Sequence, residues 1–272
     1  MAQMLGERLG LNDQQKRLTE MLIQFDGFCR MHNITYYLAY GTLIGAIRHG
    51  QMIPWDDDID ILLKRDEYEK LLLYSSINNE IDIVSYKTNT QKYYHPFSHA
   101  NLIDNTTKRI SHHTKVETNQ GLFIDLFPLD NIPDNENADT KLLNKVYLID
   151  RIRTLRVAKY DIPCKFRLFR KIAGKCLFFV NPVKMAQIMD ELSQKYNNTD
   201  TKRIGVVKIK SPYSRWDRKY FDTVKEHVFS GQNLMIPAAY DKILTATYGD
   251  YMTPPPEAER VIKHPADVFW RI

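Results

Sequence analysis

Between residues 40 and 64 the chain reads YGTLIGAIRHGQMIPWDDDIDILLK, with aspartates at 56, 57, 58 and 60 ahead of an apolar run. If that run is a strand, alternation sends residues i and i+2 to one face. Asp58 and Asp60 then project together while Ile59 and Ile61 enter the core. Two carboxylates held side by side repel, and a hard cation with oxygen ligands relieves them. Asp58 and Asp60 are therefore the expected ligands of Mg²⁺ or Mn²⁺. Asp56 shares their parity but precedes the strand, and either adds a ligand or caps Arg48. Asp57 points the other way and reads as a surface or turn carboxylate. Upstream, Thr42 follows Gly41 where a helix would begin, and its hydroxyl with the free N–H groups of the first turn suits a phosphate. A phosphate cradle facing an acidic metal site is the equipment of phosphoryl or nucleotidyl transfer.

A second acid stands in GLFIDLFPLD, residues 121–130, where Leu122, Ile124 and Leu126 alternate with Phe123, Asp125 and Phe127. A carboxylate in so apolar a strand needs a partner or a metal to offset its desolvation. Asp125 is thus a third candidate, whereas Asp130, past Pro128, reads as a loop carboxylate. Other elements must position these strands. Asn12 is a plausible N-cap for a helix over 12–32 with Leu18, Met21, Leu22, Phe25 and Phe28 on one stripe, and Cys29 there reads as a core residue. A strand over 35–39, a helix over 65–76 and strands over 81–86 and 97–104 follow. His95, His99, His112 and His113 lack the spacing of a helical ligand pair and read as loop or edge residues. Lys108 and Arg109 either meet a phosphate or sit at a solvated strand end.

The string GTLIGAIRHG…IPWDDDIDI, with Gly41-Thr42 followed by Asp58-Ile59-Asp60, resembles the LicD family of phosphocholine transferases, relatives of fukutin and fukutin-related protein within the nucleotidyltransferase superfamily. FIDLFPLD resembles the family's strand carrying a third carboxylate, which brings Asp125 to Asp58 and Asp60. The closing YGDYMTPPPEAERVIKHP resembles the family's last segment. The resemblance implies an α/β fold, a nucleotidyltransferase-like mixed sheet flanked by helices. It also implies metal-dependent transfer of a phospho-alcohol group, phosphocholine first, from a CDP-alcohol donor such as CDP-choline to a sugar hydroxyl of a surface glycan or teichoic-acid precursor. Asp125 would share a second metal or act as general base on the acceptor. Trp55 or a nearby tyrosine would meet a quaternary ammonium. Arg260, Lys263 and His264 either close over the diphosphate or serve structure only.

With 272 residues and 43% hydrophobic content, the chain is expected to be globular, and no run approaches the roughly 20 apolar residues of a membrane span. Cysteines at 29, 164 and 176 form no disulfide framework or zinc spacing, and no signal-peptide pattern opens the sequence. A cytoplasmic location is expected, with room for peripheral contact at the inner membrane face. Residues 1–136 read as the catalytic core. A polar linker over 131–141 leads into a mainly helical insertion over 137–200, with helices at 141–159, 165–179 and 183–196. Residues 201–272 complete the site, with a strand at 205–209, a loop at 214–216, a hairpin over 220–235 turning at Gly231, a helix start at 236–238, and a helix over 240–248. Residues 151–175 hold nine Lys/Arg against one acid. A solvated face, an anionic membrane or phosphate-rich acceptor, and nucleic acid all compete for that charge; nucleic acid is not expected, because no binding module accompanies it.

Overall fold

The computed structural model describes residues 5–88, 93–112, 120–159, 167–209, 214–264 and 266–272. A short strand, β1 (Leu5–Arg8), precedes helix α1 (Leu11–Met31). The expected stripe is the helix's inner face: Leu18, Met21, Leu22, Phe25 and Cys29 are buried, and Phe28 packs at the edge. The helix begins one residue earlier than Asn12. Gly10 is its N-cap without a side-chain bond, and the Gln14 side chain secures the entry by donating to the Leu9 carbonyl at 3.0 Å. Beyond α1, β2 (Tyr37–Leu38) is shorter than expected and runs into α2 (Tyr40–His49), which ends on left-handed Gly50.

Next come β3 (Asp60–Lys64), α3 (Arg65–Leu71), β4 (Ile81–Val84), β5 (Ala100–Asp104), β6 (Thr107–Ser111) and β7 (Phe123–Ile132). The principal sheet runs β2-β3-β7-β5-β4. β3 and β7 are parallel, and their neighbours are antiparallel. One face of β3 and β7, including Ile59, Ile61, Ile124 and Leu126, packs under α1. Each such fully buried side chain stabilises by roughly 1.5–3 kcal/mol. The other face carries Asp60 and Asp125. Pro128 interrupts nothing, because Asp125 N–H points to β3 and residue 128, of opposite parity, faces the gap after β5 ends at Leu126.

β7 extends further than a loop reading of Asp130 allowed. Its last residues pair with β8 (Arg203–Gly205), reached after α4 (Glu136–Val157), α5 (Arg167–Cys176) and α6 (Pro182–Ser193). Asp130 is buried and receives both Nε and Nη2 of Arg65, at 2.7 and 2.6 Å, while Arg65 Nη1 reaches Asp190 on α6 at 3.0 Å. The expected linker is mostly helix, because Asn135 caps α4 by accepting from Ala138 N–H. Asn181 and Pro182 open α6 in the same manner.

The strand expected at 205–209 is displaced toward β8, and residues 214–216, expected as a loop, enter β9 (Arg215–Asp217) beside it. β10 (Val224–Phe229) and β11 (Gln232–Pro237) form the hairpin. Ser230 and Gly231 both take positive φ at its turn, the two-residue geometry that matches strand twist. Residues 236–237, expected to start a helix, finish β11, and α7 (Tyr240–Tyr248) follows. The tail returns as β12 (Ala266–Arg271) between β1 and β6. No helix among the described residues is long and apolar enough to cross a membrane.

Candidate active site

β3 starts at Asp60, so Asp56 and Asp58 lie in the extended approach rather than in the ladder. Asp60 stands opposite Asp125 in the parallel register, and the strands are bonded there from Asp125 N–H to the Ile59 carbonyl at 2.9 Å. Residues paired across parallel strands about 4.8 Å apart share a face, so the two carboxylates adjoin. Burial, then Asp58, Asp125 and Asp56, push the Asp60 carboxyl far above the usual range. Burial and Asp58 raise Asp56 to about 7. These acids repel one another, and oxygen-only carboxylate ligands such as Asp56, Asp58, Asp60 and Asp125 are of the kind a hard divalent cation takes. Among the described residues, the ligand atoms that already lie within 4.8 Å of one another are those of Asp57, Asp58 and His264.

Helix α2 holds this cluster from below. The Thr42 hydroxyl is buried and accepts from Asp60 N–H at 2.9 Å, so its lone pair fixes the strand rather than pointing outward. Gly41 is small of necessity, since a Cβ there would lie 2.6 Å from Asp56 Oδ2. Gly41→Ala is expected to displace that carboxylate and lower turnover by about tenfold or more, the scale of a disturbed ligand shell, with the thermal midpoint little changed. Wild-type turnover in this variant would mean that Asp56 has no part in the site.

The tail closes the other side. Asp57, read from sequence as a surface or turn carboxylate, instead accepts the backbone N–H of His264 at 3.1 Å. His264 Nδ1 lies 3.1 Å from Asp58 Oδ2 and 3.5 Å from Asp57 Oδ1. Asp57 and then Asp58 raise the imidazole to about 10, so near neutrality it is a cation that donates to these acids. Donors from Asp57, Asp58 and His264 fall within 4.8 Å of one another; with the proton in place, His264 acts as a counter-charge there. Lys263 adds positive charge beside Asp56. Arg48 donates to the Tyr251 carbonyl at 2.7 Å and neighbours Arg260 rather than capping Asp56. The Arg260 guanidinium lies 5.1 Å above the Trp55 ring, so that face already carries a cation.

Asp125 has partners that local sequence did not announce. His99, read as a loop or edge residue, is buried against Phe127 with ring centroids 4.9 Å apart. Its Nε2 lies 3.0 Å from Asp125 Oδ1, and its Nδ1 lies 2.6 Å from Lys208 Nζ. An ammonium has no acceptor, so Nδ1 accepts and Nε2 carries the proton given to Asp125. Burial and then Lys208 hold His99 down at about 4, which keeps it neutral. Asn101, opposite Asp125 on β5, donates to the same Oδ1. Against the effect of burial, His99, Lys208 and Asn101 bring Asp125 to about 2. Burial lowers Lys208 to about 8. The one available signal was His99 and Asn101 at i and i+2 at the head of a strand; nothing local pointed to Lys208. His95 Nε2 donates to the His99 carbonyl at 2.7 Å, His112 pairs with Asp267, and His113 lies outside the described residues.

Two cavities meet at this acid. One, of about 320 Å³, is lined by Phe97, His99, Asn101, Asp150, Arg153 and Lys208 among others. The other, of about 190 Å³, is lined by Asp57, Asp58 and His264 among others. Arg109, Ser111, Phe123 and Asp125 border both. Arg109 donates to the His264 carbonyl at 3.1 Å and lies 5.0 Å over Phe123, a cation at the junction.

Residues 33–161 match the family model described as LicD/FKTN/FKRP, nucleotidyltransferase domain. The chain is 28% identical to the lipopolysaccharide cholinephosphotransferase LicD of Haemophilus influenzae, over 97% of this chain and 99% of that protein. It is 27% identical to mannosyltransferase regulator 4 of Saccharomyces cerevisiae over 43% of this chain and 10% of that protein. An uncharacterized protein of Rickettsia prowazekii is 51% identical over 37 residues, 13% of this chain and 14% of its own.

Proposed function

From a chain that carries a LicD-family domain over residues 33–161, we propose a transferase that moves a phospho-alcohol group from a CDP-activated donor to a sugar hydroxyl of a cell-surface glycan. Phosphocholine is the favoured group, because the Haemophilus relative that aligns along nearly the whole chain is a lipopolysaccharide cholinephosphotransferase. The observation that carries the reading is the parallel register of Asp60 and Asp125, with Asp56 and Asp58 close enough to act on Asp60, and with Asp58 and Asp125 lining the smaller of two cavities that meet at Asp125. Asp58, Asp60, Asp125 and Asp56 would hold Mg²⁺ or Mn²⁺, which when bound supplies neutralising charge for a diphosphate and its departing nucleotide.

The chain's own groups do the rest. Tyr40, Gly41 and Thr42 N–H groups lack intrahelical acceptors by position and suit phosphate oxygens. Arg109, acted on by Asp57, Asp125 and Asp58, offers its remaining N–H groups at the junction. His99 and Asn101 both donate to Oδ1 of Asp125 and so direct Oδ2 toward the incoming group. At about 2, Asp125 is a weak base near neutrality, which favours holding a cation over accepting the acceptor's proton. Phe97, Phe123 and Phe127 lie under Arg153, Arg109 and Lys208 at 4.5–5.0 Å. The rings bordering the cleft thus carry protein cations, and they suit an anionic substrate portion.

Lys208→Met removes the ammonium that fixes the His99 tautomer. The expected result is a kcat loss of about 10–100-fold with weaker Mg²⁺ dependence and a nearly unchanged KM for donor. Wild-type kcat and metal dependence would deny Lys208 that part. The reaction itself is tested by thermal shift with Mg²⁺ and CDP-choline, CDP-ribitol or CDP-glycerol, followed by product analysis. A ligand that binds the native state at about 100 times its Kd should raise the midpoint by on the order of 5 °C. Release of CMP with phosphocholine on the glycan is expected. Pyrophosphate from an NTP, without CMP from any CDP-alcohol, would replace this reading with nucleotidyl transfer.

A further inference from the structure

The helical segment between β7 and β8 leaves large apolar side chains in solvent: Leu168 is 72% exposed, Ile172 52%, Phe178 76% and Phe179 74%. All lie within twelve consecutive residues, whereas Met31 and Leu73 are exposed singly. Scattered exposed apolar residues need no explanation, but a cluster marks a contact surface. On α5, Leu168 and Ile172 sit one turn apart on one face. Gly174 is buried and Arg170 half-buried on a different side. Lys171 and Lys175 are exposed beside the apolar face. Across residues 167–184 there are five basic side chains and no acidic one.

We propose that this ridge docks the protein on an anionic lipid surface. Leu168, Ile172, Phe178 and Phe179 would enter the headgroup boundary while Lys171 and Lys175 meet lipid phosphates, the division of labour of an interfacial amphipathic helix. Charge selects this occupant. A second copy of the chain would bring two like-charged basic segments together, and nucleic acid would leave the two phenylalanines uncovered. Helix α5 packs on α4, whose Asp150 and Arg153 line the larger cavity. Docking would therefore hold that wall of the cleft toward the membrane, whichever group is transferred.

The test is co-sedimentation of the 272-residue chain with phosphatidylcholine vesicles, with and without phosphatidylglycerol. The chain should pellet only with the anionic vesicles and be released by high salt. Phe178→Ser with Phe179→Ser, and separately Lys171→Glu with Lys175→Glu, should each lower the partition coefficient by about tenfold or more. Because these side chains are exposed, the thermal midpoint and turnover on a soluble acceptor should not change. Failure of the unaltered chain to bind anionic vesicles, or wild-type binding by either pair, overturns the proposal. A dimer in sedimentation velocity that Phe178→Ser with Phe179→Ser dissolves would assign the ridge to self-association and likewise overturn it. Vesicle binding needs no donor, metal or turnover, so its failure is distinct from failure of the transferase reading.

Discussion

Asp60→Asn is expected to lower transfer by roughly a thousandfold or more while the protein stays folded. Asp60 is half-buried where charges from Asp58, Asp125 and Asp56 converge. Its carboxylate is costly without a cation and becomes favourable only when one is shared. The amide keeps the size and removes the charge, so the metal-free midpoint should hold or rise. The midpoint gain on adding Mg²⁺ should shrink sharply in the same variant. Thermal denaturation with and without Mg²⁺, beside a turnover assay, reads both effects. Retained activity with unchanged Mg²⁺ dependence would remove Asp60 from the proposed metal site.

The largest expected stability effect lies five residues further along the chain, where Arg65 opens α3 directly after β3. Arg65→Met leaves Asp130 and Asp190 buried without their shared guanidinium. Breaking a buried pair by removing one partner costs about 3–5 kcal/mol, or on the order of 10 °C for a chain of this size. The consequence reaches the site through the register. Asp60 faces Asp125, Lys64 faces Leu129, and one step further Arg65 meets Asp130. The ion pair therefore pins the alignment that sets Asp60 against Asp125, because a slip of one residue would turn every side chain to the other face. Urea unfolding should show a lower midpoint with an unchanged slope, and turnover should fall at temperatures where the variant is still folded. A loss below about 1 kcal/mol would show that the surrounding packing holds the register without Arg65.

Sequence went furthest where the physics is local. Period-two alternation in IDILL and GLFIDLF told which face of each strand is apolar, and Ile59, Ile61, Ile124 and Leu126 are buried accordingly. The spacing of Leu18, Met21, Leu22 and Phe25 gave α1 its inner face. Gly231 marked the hairpin turn. Where short-range signals were ambiguous, element boundaries moved: Asn12 lies inside a helix capped by Gly10, and the polar stretch after β7 is largely α4.

What the chain's own order of residues determined was thus the kind of chemistry on offer: acids entering apolar strands, a small-residue turn before them, and a basic helical segment with no acid near its end. Tertiary structure alone decided which groups meet. It set Asp60 across from Asp125, delivered Lys208 to His99, and brought His264 to Asp57 and Asp58 by pairing β12 with β6. A strand's periodicity reports its faces because neighbouring residues share one backbone geometry. Its partner and register are chosen by burial and hydrogen bonds summed over residues far apart in the chain, and no short window of sequence contains that sum.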